Sequence, residues 1–467
     1  MNKSMIFAAF VMTIGGALFL ALGQSISSNA GETATTDGSA LGTKAERLGK
    51  LIFEDTQLSI RKNQACVSCH TADTGFTGPF ENFNREGSVV EGSIAGRFGN
   101  TKPTSIAYAS PAPVLHHRIE REAGEPDSYL FVGGSFNNGR ATGKLLGNPV
   151  ADQARQPFLN PLEMGLPDAA CVVHRVCNPE TPDYYSIKLA DVWGKNVCNL
   201  EWPANLKKQC AVPESNITLT EETRKAVETA YDRIALSLLA FQSSKMVNTY
   251  SSKFDAYLAG KAKLTIKEEL GKQLFEGRGG CAVCHVLDPG PSGETALFTD
   301  FTYDNLGVPR NPDNPFYTQK KFNPIGAKWV DLGLATTLGS DPLYKALAND
   351  QLGKVKVPTL RNVDKRPTPG FVKAFMHNGY FKSLKSVVHF YNTRDIKPAC
   401  KNLLTREALA IKQNCWPEPE LKVNVNKDEL GDLKLTDTEE DAIVAFMRIL
   451  SDGYVAKDSQ REKKTGR

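Results

Sequence analysis

Two short stretches of the chain carry two cysteines and a histidine at the same spacing. The stretch QACVSCHTAD spans residues 64–73, and GGCAVCHVLD spans residues 279–288. Each contains the pattern C-x-x-C-H, formed by Cys66, Cys69 and His70 in the first and by Cys281, Cys284 and His285 in the second. Two thiols beside an imidazole can hold a zinc ion, exchange disulfides or attach a haem.

The spacing favours haem over the other two chemistries. C-x-x-C-H supplies two thiols for the vinyl groups of a haem and an adjacent imidazole for its iron. A zinc site made of four cysteines gives no reason for a histidine after each pair. A thioredoxin-type dithiol is expected in a strand-helix context, which is absent here. The sequence therefore predicts two covalently bound c-type haems, with His70 and His285 as the proximal iron ligands.

The residues after the first motif offer few ligands for the opposite face of its haem. An electron carrier fills both axial positions of the iron, whereas an enzyme that reacts with oxygen or peroxide leaves one open. Residues 71–113 contain neither histidine nor methionine, so we expect a vacant distal face on the first haem. His116 and His117 follow this loop as alternative ligands, although their interpretation as exposed loop residues is favoured.

The segment DQARQPFLNPLEMGLPD, residues 152–168, places Glu163 between Leu162 and Met164. A carboxyl group among apolar neighbours tends to have a raised pKa, which suits general acid-base catalysis. Peroxide cleavage needs a group that takes the proton from one oxygen and delivers it to the other, so that water leaves. An ordinary loop carboxylate is the alternative interpretation of Glu163.

The helices that must position these residues are themselves repeated. ERLGKLIFED precedes the first motif and EELGKQLFEG precedes the second, with apolar residues one helical turn apart. Each half then closes with a second helix, LTEETRKAVETAYDRIALSLLAF or LTDTEEDAIVAFMRIL. In the latter, Thr436 and Glu439 form a capping box. The intervening stretches are rich in Gly, Pro and Asn, and little alternates with period two, so we predict an all-α fold with long irregular loops.

The composition and the amino-terminal residues indicate the class of protein and its cellular location. The chain has 467 residues, 41% hydrophobic and 23% charged, and a formal net charge of +4, with no basic run before REKKTGR. This composition is that of a soluble globular protein and gives nucleic-acid binding no support. Lys3 and the apolar residues 5–22, followed by Ser28-Asn29-Ala30, predict a secretory signal, or else an uncleaved membrane anchor. In either case the body of the protein is expected to be exported to the periplasm.

Export bears on the six cysteines outside the two motifs. An even number outside the cytoplasm predicts disulfides. Proximity favours a bond between Cys400 and Cys415 and bonds within the group from Cys171 to Cys210, which also contains Cys177 and Cys198.

The ordered set of motifs resembles a known family. Both C-x-x-C-H motifs, the segment GRATGKLLGNPVADQARQPFLNPLEM, and VPTLRNV followed by FMHNGYFKSLKSVVHFYN are similar to those of the bacterial di-haem cytochrome c peroxidase and MauG superfamily. The resemblance covers essentially the whole mature chain. It implies two cytochrome-c-like haem domains, which we place at residues 31–245 and 246–455, after a signal peptide at residues 1–30 and before a polar tail at residues 456–467. The first haem would be peroxidatic and the second would store or relay electrons.

The resemblance also implies roles for particular residues. Glu163 matches the distal acid-base carboxylate, and Gln153 and Pro157 match residues that lead into the distal pocket. Tyr391 stands where peroxidases of the superfamily carry a methionine ligand to the second haem and where MauG-like members carry a tyrosine. A phenolate ligand would lower the potential of that iron. The alternatives are an aromatic residue on the core face of a helix, and a ligand from Met376 or His377 in FMHNG.

Two segments of the chain differ from the family pattern. Members often carry a tryptophan between the haems in a W-D-G-R segment, where this chain has residues 137–140, Asn-Asn-Gly-Arg. Another aromatic residue must then serve as the electron relay, or the haems couple differently. Members also bind a calcium ion between the domains, partly through Thr-x-Pro, where this chain has Val372 and Ala374. Backbone carbonyls there could still bind the ion.

The sequence leaves three functions open. The first is a peroxidase that reduces hydrogen peroxide with electrons from a small redox protein, either a cytochrome c or a cupredoxin. The second is a MauG-like oxidase that draws electrons from side chains of a partner protein and so modifies it. The third is a non-catalytic di-haem electron carrier, which would have two six-coordinate, low-spin haems. No membrane partner is expected unless the N-terminal segment stays uncleaved.

Overall fold

Helices joined by long connections make up most of the chain described by the computed structural model, which covers residues 43–121, 128–178, 185–289 and 295–456. The helices within these ranges are α1 (Lys44–Glu54), α2 (Glu81–Arg85), α3 (Pro149–Ala154), α4 (Gln156–Leu159), α5 (Ala169–Cys177), α6 (Tyr185–Trp193), α7 (Leu206–Gln209), α8 (Glu221–Ser243), α9 (Lys253–Leu258), α10 (Ile266–Glu276), α11 (Leu334–Ser340), α12 (Leu384–Thr393), α13 (Glu407–Lys412) and α14 (Asp437–Arg448). The strands are β1 (His116–Glu120), β2 (Ser128–Val132), β3 (Tyr303–Asp304) and β4 (Val355–Lys356).

The strands form two small antiparallel ribbons, β1 with β2 and β3 with β4. The described chain is therefore helix-rich with few strands, as predicted, but it is not strictly all-α. His116 and His117 lie on β1 and not on a loop, which corrects the sequence-based interpretation. The ring of His117 packs 5.6 Å from Tyr129 and 5.7 Å from Phe131, and such cross-strand aromatic contacts stabilise a short ribbon.

The repeated helix pair is confirmed by the structure, and a glycine lies at each crossing. A Cβ atom added at Gly49 of α1 would lie 1.9 Å from the carbonyl oxygen of Ser237 in α8. A Cβ atom added at Gly271 of α10 would lie 1.9 Å from the carbonyl oxygen of Ala442 in α14. The glycine of each Leu-Gly-Lys segment thus lets the two backbones touch. Capping boxes begin α1, α10 and α14, including the one predicted from Thr436 and Glu439.

Replacing Gly49 with alanine should weaken the first helix crossing. The added methyl group has no room without separating the helices, so we expect the free energy of unfolding to fall by about 1–3 kcal/mol, measured by urea denaturation of the haem-loaded protein. Gly339→Ala in α11 is the matched control, because a Cβ atom there meets open space. The control should be neutral or slightly stabilising. Equal stability of the two variants would contradict this account of the crossing.

The buried apolar side chains of the described residues form three clusters. The first is built mainly on α1, α5 and α8, and the second mainly on α10, α12 and α14. A third, smaller cluster joins the two ribbons and α11 through Leu115, Phe131, Tyr303, Leu334, Leu338 and Tyr344. The two C-x-x-C-H motifs are packed against different clusters, Cys66 against the first and Cys281 against the second.

The six remaining cysteines form three disulfides, which confirms the prediction that they are disulfide-bonded. They join Cys171 to Cys210, Cys177 to Cys198 and Cys400 to Cys415. The first two tie the connection after α5 back to that helix.

No helix within the described ranges has both the length and the apolar character needed to cross a bilayer. The predicted signal segment, residues 1–30, and most of the predicted tail lie outside the described residues.

Two candidate haem cavities

Each C-x-x-C-H motif begins as a 3₁₀ turn, Cys66–Ser68 in the first and Cys281–Val283 in the second. In both motifs the two cysteines and the histidine line one cavity: Cys66, Cys69 and His70 the first, and Cys281, Cys284 and His285 the second. None of these four cysteines forms a disulfide. Because the two pairs line different cavities, they do not converge on a single zinc site.

The two imidazoles are held in the same way. Nδ1 of His70 lies 2.9 Å from the carbonyl oxygen of Phe76, and Nδ1 of His285 lies 2.9 Å from that of Phe298. A carbonyl can only accept, so Nδ1 carries the proton and Nε2 keeps a free lone pair for a metal. Burial lowers the pKa of both imidazoles, which favours the neutral, ligating form. Phe76 and Phe298 have φ values of 58° and 54°, so both turns adopt the left-handed conformation that bulky residues rarely take.

The first cavity encloses about 1290 Å³, counting its open mouth. Gln153 of α3, Pro157 of α4 and Glu163 from the turn after α4 all line it, so the structure brings these three predicted residues together with the first motif. Asn148 caps the start of α3 through its side chain. Asn160 Nδ2 donates to Glu163 Oε1 over 2.8 Å and so fixes the carboxyl group.

Burial dominates the electrostatics of Glu163. Desolvation raises the pKa of this half-buried carboxyl, and Arg140 together with the Asn160 amide only partly offsets that rise. Arg140 lines the same cavity, with its guanidinium carbon 3.5 Å from the ring centroid of Phe136 and its Nε donating to Gln156. Sequence reasoning assigned no functional role to Arg140, which is the last residue of the N-N-G-R segment. Glu163 is thus a carboxyl group that can exchange a proton nearer to neutral pH than an exposed glutamate.

The second cavity encloses about 1620 Å³, again counting its mouth. Leu384, Val388 and Tyr391, one face of α12 at i, i+4 and i+7, line it together with Met376 and His377. The hydroxyl of Tyr391 lies 3.9 Å from the sulfur of Met376, so both candidate ligands occupy the same side. Burial raises the pKa of Tyr391, which keeps the phenol neutral unless a cation such as iron stands beside it.

Matching loops bring different side chains to the two cavities. Residues 135–141 and 375–381 are each closed by an antiparallel bridge between their first and last residues. The second residue of each loop is left-handed, Phe136 with φ 63° and Met376 with φ 65°. Both of these residues line their own cavity. At this loop position Met376 offers a sulfur atom to the second cavity. Phe136, at the same position in the first loop, offers a phenyl ring, which cannot ligate iron.

Among the described residues, only one histidine and one methionine line the first cavity, His70 and Met164. Met164 is 2% exposed and belongs to the first apolar cluster. His116 and His117 do not line either cavity.

Four residues line both cavities: Lys102, Thr104, Ser105 and Asn137. Asn137 is the position at which members of the resembled superfamily often carry tryptophan, and no aromatic residue of the described ranges lines both cavities. Lys102 is half-buried there, and desolvation lowers its pKa to about 8. Its Nζ lies 3.3 Å from both Thr77 Oγ1 and the carbonyl oxygen of Pro103. Sequence reasoning missed Lys102, because a lysine in a polar loop usually indicates an exposed residue.

Several features of the cavities fit a bound haem. Each cavity has a buried polar atom without a hydrogen-bond partner in the structure, Gln64 Oε1 in the first and His377 Nδ1 in the second. Lys356, which lines the second cavity, is half-buried like Lys102, and desolvation lowers its pKa to about 8 as well. Buried ammonium groups need a counter-charge, and the propionates of a haem would supply it. The thiols and imidazoles of the two motifs are the groups that would hold the porphyrins and their irons.

Comparison with known proteins identifies the family to which this chain belongs. The family model described as "Di-haem cytochrome c peroxidase" matches residues 43–263. The methylamine utilization protein MauG of Paracoccus denitrificans (strain Pd 1222) is 31% identical over 409 residues, which cover 87% of this chain and 88% of MauG. The chain therefore belongs to the di-haem cytochrome c peroxidase and MauG superfamily, a membership that implies an oxidoreductase with two c-type haems.

Two further relatives place the chain within the superfamily. Cytochrome-c peroxidase IdrP1 of Pseudomonas sp. (strain SCT) is 24% identical over 368 residues, covering 74% of this chain and 71% of that protein. The crystal structure of the diheme peroxidase BthA from Burkholderia thailandensis E264 aligns with a TM-score of 0.64 and 27% sequence identity, covering 88% of this chain and 87% of BthA. This chain is thus similar both to proteins named as peroxidases and to MauG.

Proposed function

We propose that this chain is an exported, periplasmic di-haem peroxidase that reduces hydrogen peroxide at its first haem with electrons relayed through its second. The balanced reaction is H₂O₂ + 2 H⁺ + 2 e⁻ → 2 H₂O. The signal peptide would be residues 1–30, and the two cytochrome-c-like domains would be residues 31–245 and 246–455. The haems, when bound, supply the redox-active irons, and the chain supplies binding, orientation and proton transfer.

The observation that carries this proposal is the Glu163 carboxyl, which lines the cavity of the first motif and whose pKa is raised by desolvation. In its charged form it accepts a proton from one peroxide oxygen and, once protonated, donates it to the other. Gln153 and Pro157 restrict where peroxide can lie in the same cavity. Phe136, at the position equivalent to Met376, has no ligating atom, so a haem held by the first motif would find no ligand from this loop and peroxide could bind there.

The second site holds the electrons that the first consumes. His285 and Tyr391 are the proposed ligands of the second iron, with Met376 next to Tyr391 as the alternative. No aromatic side chain of the described ranges lines both cavities. We propose that Lys102 and Asn137, which do line both, provide the protein connection between them.

A second candidate function differs only in where the electrons come from. Tyr391 and the 31% identity to MauG favour a MauG-like oxidase, which would take electrons from side chains of a partner protein. The peroxidase would take them from a small cytochrome c or a cupredoxin. A non-catalytic electron carrier is disfavoured by the Glu163 carboxyl beside the first motif, which a carrier does not need.

Steady-state kinetics with peroxide distinguishes these functions. We expect the fully oxidised protein to react with hydrogen peroxide without prior reduction and to oxidise a reduced small cytochrome c or cupredoxin over many turnovers. The MauG-like function predicts a fast reaction with peroxide, negligible turnover with those donors, and oxidised side chains in a partner protein. Absence of any peroxide reaction would leave only the carrier.

Arg140 should set the pH dependence of the peroxide reaction. The charged carboxylate of Glu163 is the base, so the rate constant is expected to rise with pH through the pKa of Glu163. Arg140→Met removes the cation that lowers this pKa, so the acid limb of the profile should move to higher pH. Stopped-flow rates from pH 4 to 9 measure the shift, and Arg118→Met on β1 serves as the control. An unchanged or downward-shifted limb would contradict the electrostatic role of Arg140.

A further inference from the structure

Lysine ammonium groups join the two motif-bearing parts of the chain. Nζ of Lys373 donates to the carbonyl oxygens of Thr74 and Lys365, both at 2.8 Å, and to that of Asn362 at 3.3 Å. Thr74 follows the first motif, whereas Asn362 and Lys365 belong to the second half. Lys373 is 3% exposed. Its three hydrogen bonds use every N–H of an ammonium group, and all of them end on backbone carbonyls.

A second lysine makes the same kind of connection. Nζ of Lys382 donates to the carbonyl oxygen of Glu86 at 2.9 Å, to Ser88 Oγ at 2.9 Å and to the carbonyl oxygen of Gly379 at 2.7 Å. The segment 74–88 is therefore held to the segment 362–382 by two ammonium groups. The side chains that make this contact between the two halves are therefore positively charged.

The residues here do not fit the calcium ion that the family resemblance suggests between the halves. Calcium takes six to eight oxygen ligands, commonly including carboxylates. Lys373 lies between Val372 and Ala374, the two positions that match Thr-x-Pro. The carbonyl oxygen of Val372 already accepts a hydrogen bond from Asn84 Nδ2 at 3.1 Å.

The charges around Lys373 also disfavour a divalent cation. The charged groups that act on Lys373 are Lys102, Lys365 and Arg366, with Asp364 as the acidic one. Asp364 is itself paired with Arg366 and Arg448. A calcium ion beside Lys373 would meet net positive charge and carbonyls that are already in use.

We propose that the ammonium group of Lys373 is the cation that joins the two halves, in place of a bound calcium ion. It gathers carbonyls from both sides of the contact, as a metal ion would, but it is supplied by the chain. Burial and the neighbouring Lys102 lower the pKa of Lys373, whereas three carbonyl acceptors oppose deprotonation, because a neutral amine could donate only two hydrogen bonds. This inference does not depend on which electron source the enzyme uses.

Metal analysis and thermal unfolding of the haem-loaded protein test this inference. After equilibration with calcium and dialysis, the protein should retain less than about 0.1 calcium ion per chain, and EGTA should change neither its absorption spectrum nor its Tm. Lys373→Met leaves the carbonyls of Thr74 and Lys365 without their side-chain donor, whereas the Asn362 carbonyl still accepts from the Lys365 N–H. Its Tm should therefore fall by about 2–6 °C. Lys401→Met, at an exposed lysine, is the matched control and should unfold at the parental temperature.

Two results would overturn the proposal. One is retention of about one calcium ion per chain, or a loss of Tm in EGTA. The other is a Lys373→Met variant that unfolds at the same temperature as Lys401→Met. If Lys373→Met does not fold, the calcium content of the parental protein still decides between lysine and metal. None of these measurements uses peroxide, so their failure is distinguishable from failure of the proposed enzyme.

Discussion

Glu163→Gln is expected to slow the reaction with hydrogen peroxide by a factor of about 10²–10⁴, the usual contribution of a positioned general acid-base group. Glutamine keeps the shape of the side chain and can still bond to Asn160, but it cannot accept and return a proton. Haem content and the spectrum of the resting protein should stay as in the parent. Stopped-flow mixing with peroxide measures the rate constant directly.

Glu407→Gln is the matched control for this prediction. Glu407 is a buried glutamate, and burial raises its pKa as well, but it lines neither of the two cavities. Its variant should react with peroxide within about twofold of the parent. A Glu163→Gln variant that reacts as fast as Glu407→Gln would remove Glu163 from the proposed reaction.

Tyr391→Phe is expected to raise the reduction potential of the second haem, on the order of 100 mV, since axial ligands tune haem potentials over a range of about 0.8 V. The substitution removes the oxygen that would donate charge to the ferric iron. It also leaves the sulfur of Met376, 3.9 Å from that oxygen in the parent, as the nearest candidate ligand. The low-spin electron paramagnetic resonance signal should change together with the potential.

Tyr380→Phe controls for the loss of a buried tyrosine hydroxyl. Its hydroxyl donates to the carbonyl oxygen of Thr405, and it does not line the second cavity. We expect the potential of this variant to match that of the parent. Identical potentials and spectra for Tyr391→Phe and the parent would show that Tyr391 is not a ligand, and Met376 would take its place.

Much of the scaffold could be predicted from the sequence, because local patterns specify it. The C-x-x-C-H motifs, the Leu-Gly-Lys segments and the capping box of Thr436 and Glu439 each depend on residues a few positions apart. The disulfides followed from cysteine number and proximity, with the exact pairs inside the group from Cys171 to Cys210 left open. Gln153, Pro157 and Glu163 came to one cavity because they lie on consecutive short elements.

The residues whose roles could not be predicted from the sequence are positioned mainly by contacts with distant parts of the chain. Lys102, Lys373 and Lys382 look like ordinary surface lysines in polar loops. Each of them contacts a segment hundreds of residues away, and a local pattern cannot predict such contacts. The equivalence of Phe136 and Met376 was also hidden, because the loops SFNNGRA and FMHNGYF share a backbone path but few side chains. His117 lies on a short ribbon whose strands are close in sequence, but its ring also packs 5.4 Å from that of Tyr344, more than two hundred residues away.

Electron paramagnetic resonance of the fully oxidised protein, with haem quantified in the same sample, decides whether the first iron has an open face. We expect two covalently bound haems per chain, one giving a high-spin signal from the iron held by His70 and one a low-spin signal from the iron held by His285. Two low-spin signals with no high-spin component would contradict this expectation, and Met164 would then be the first candidate for the unexpected ligand.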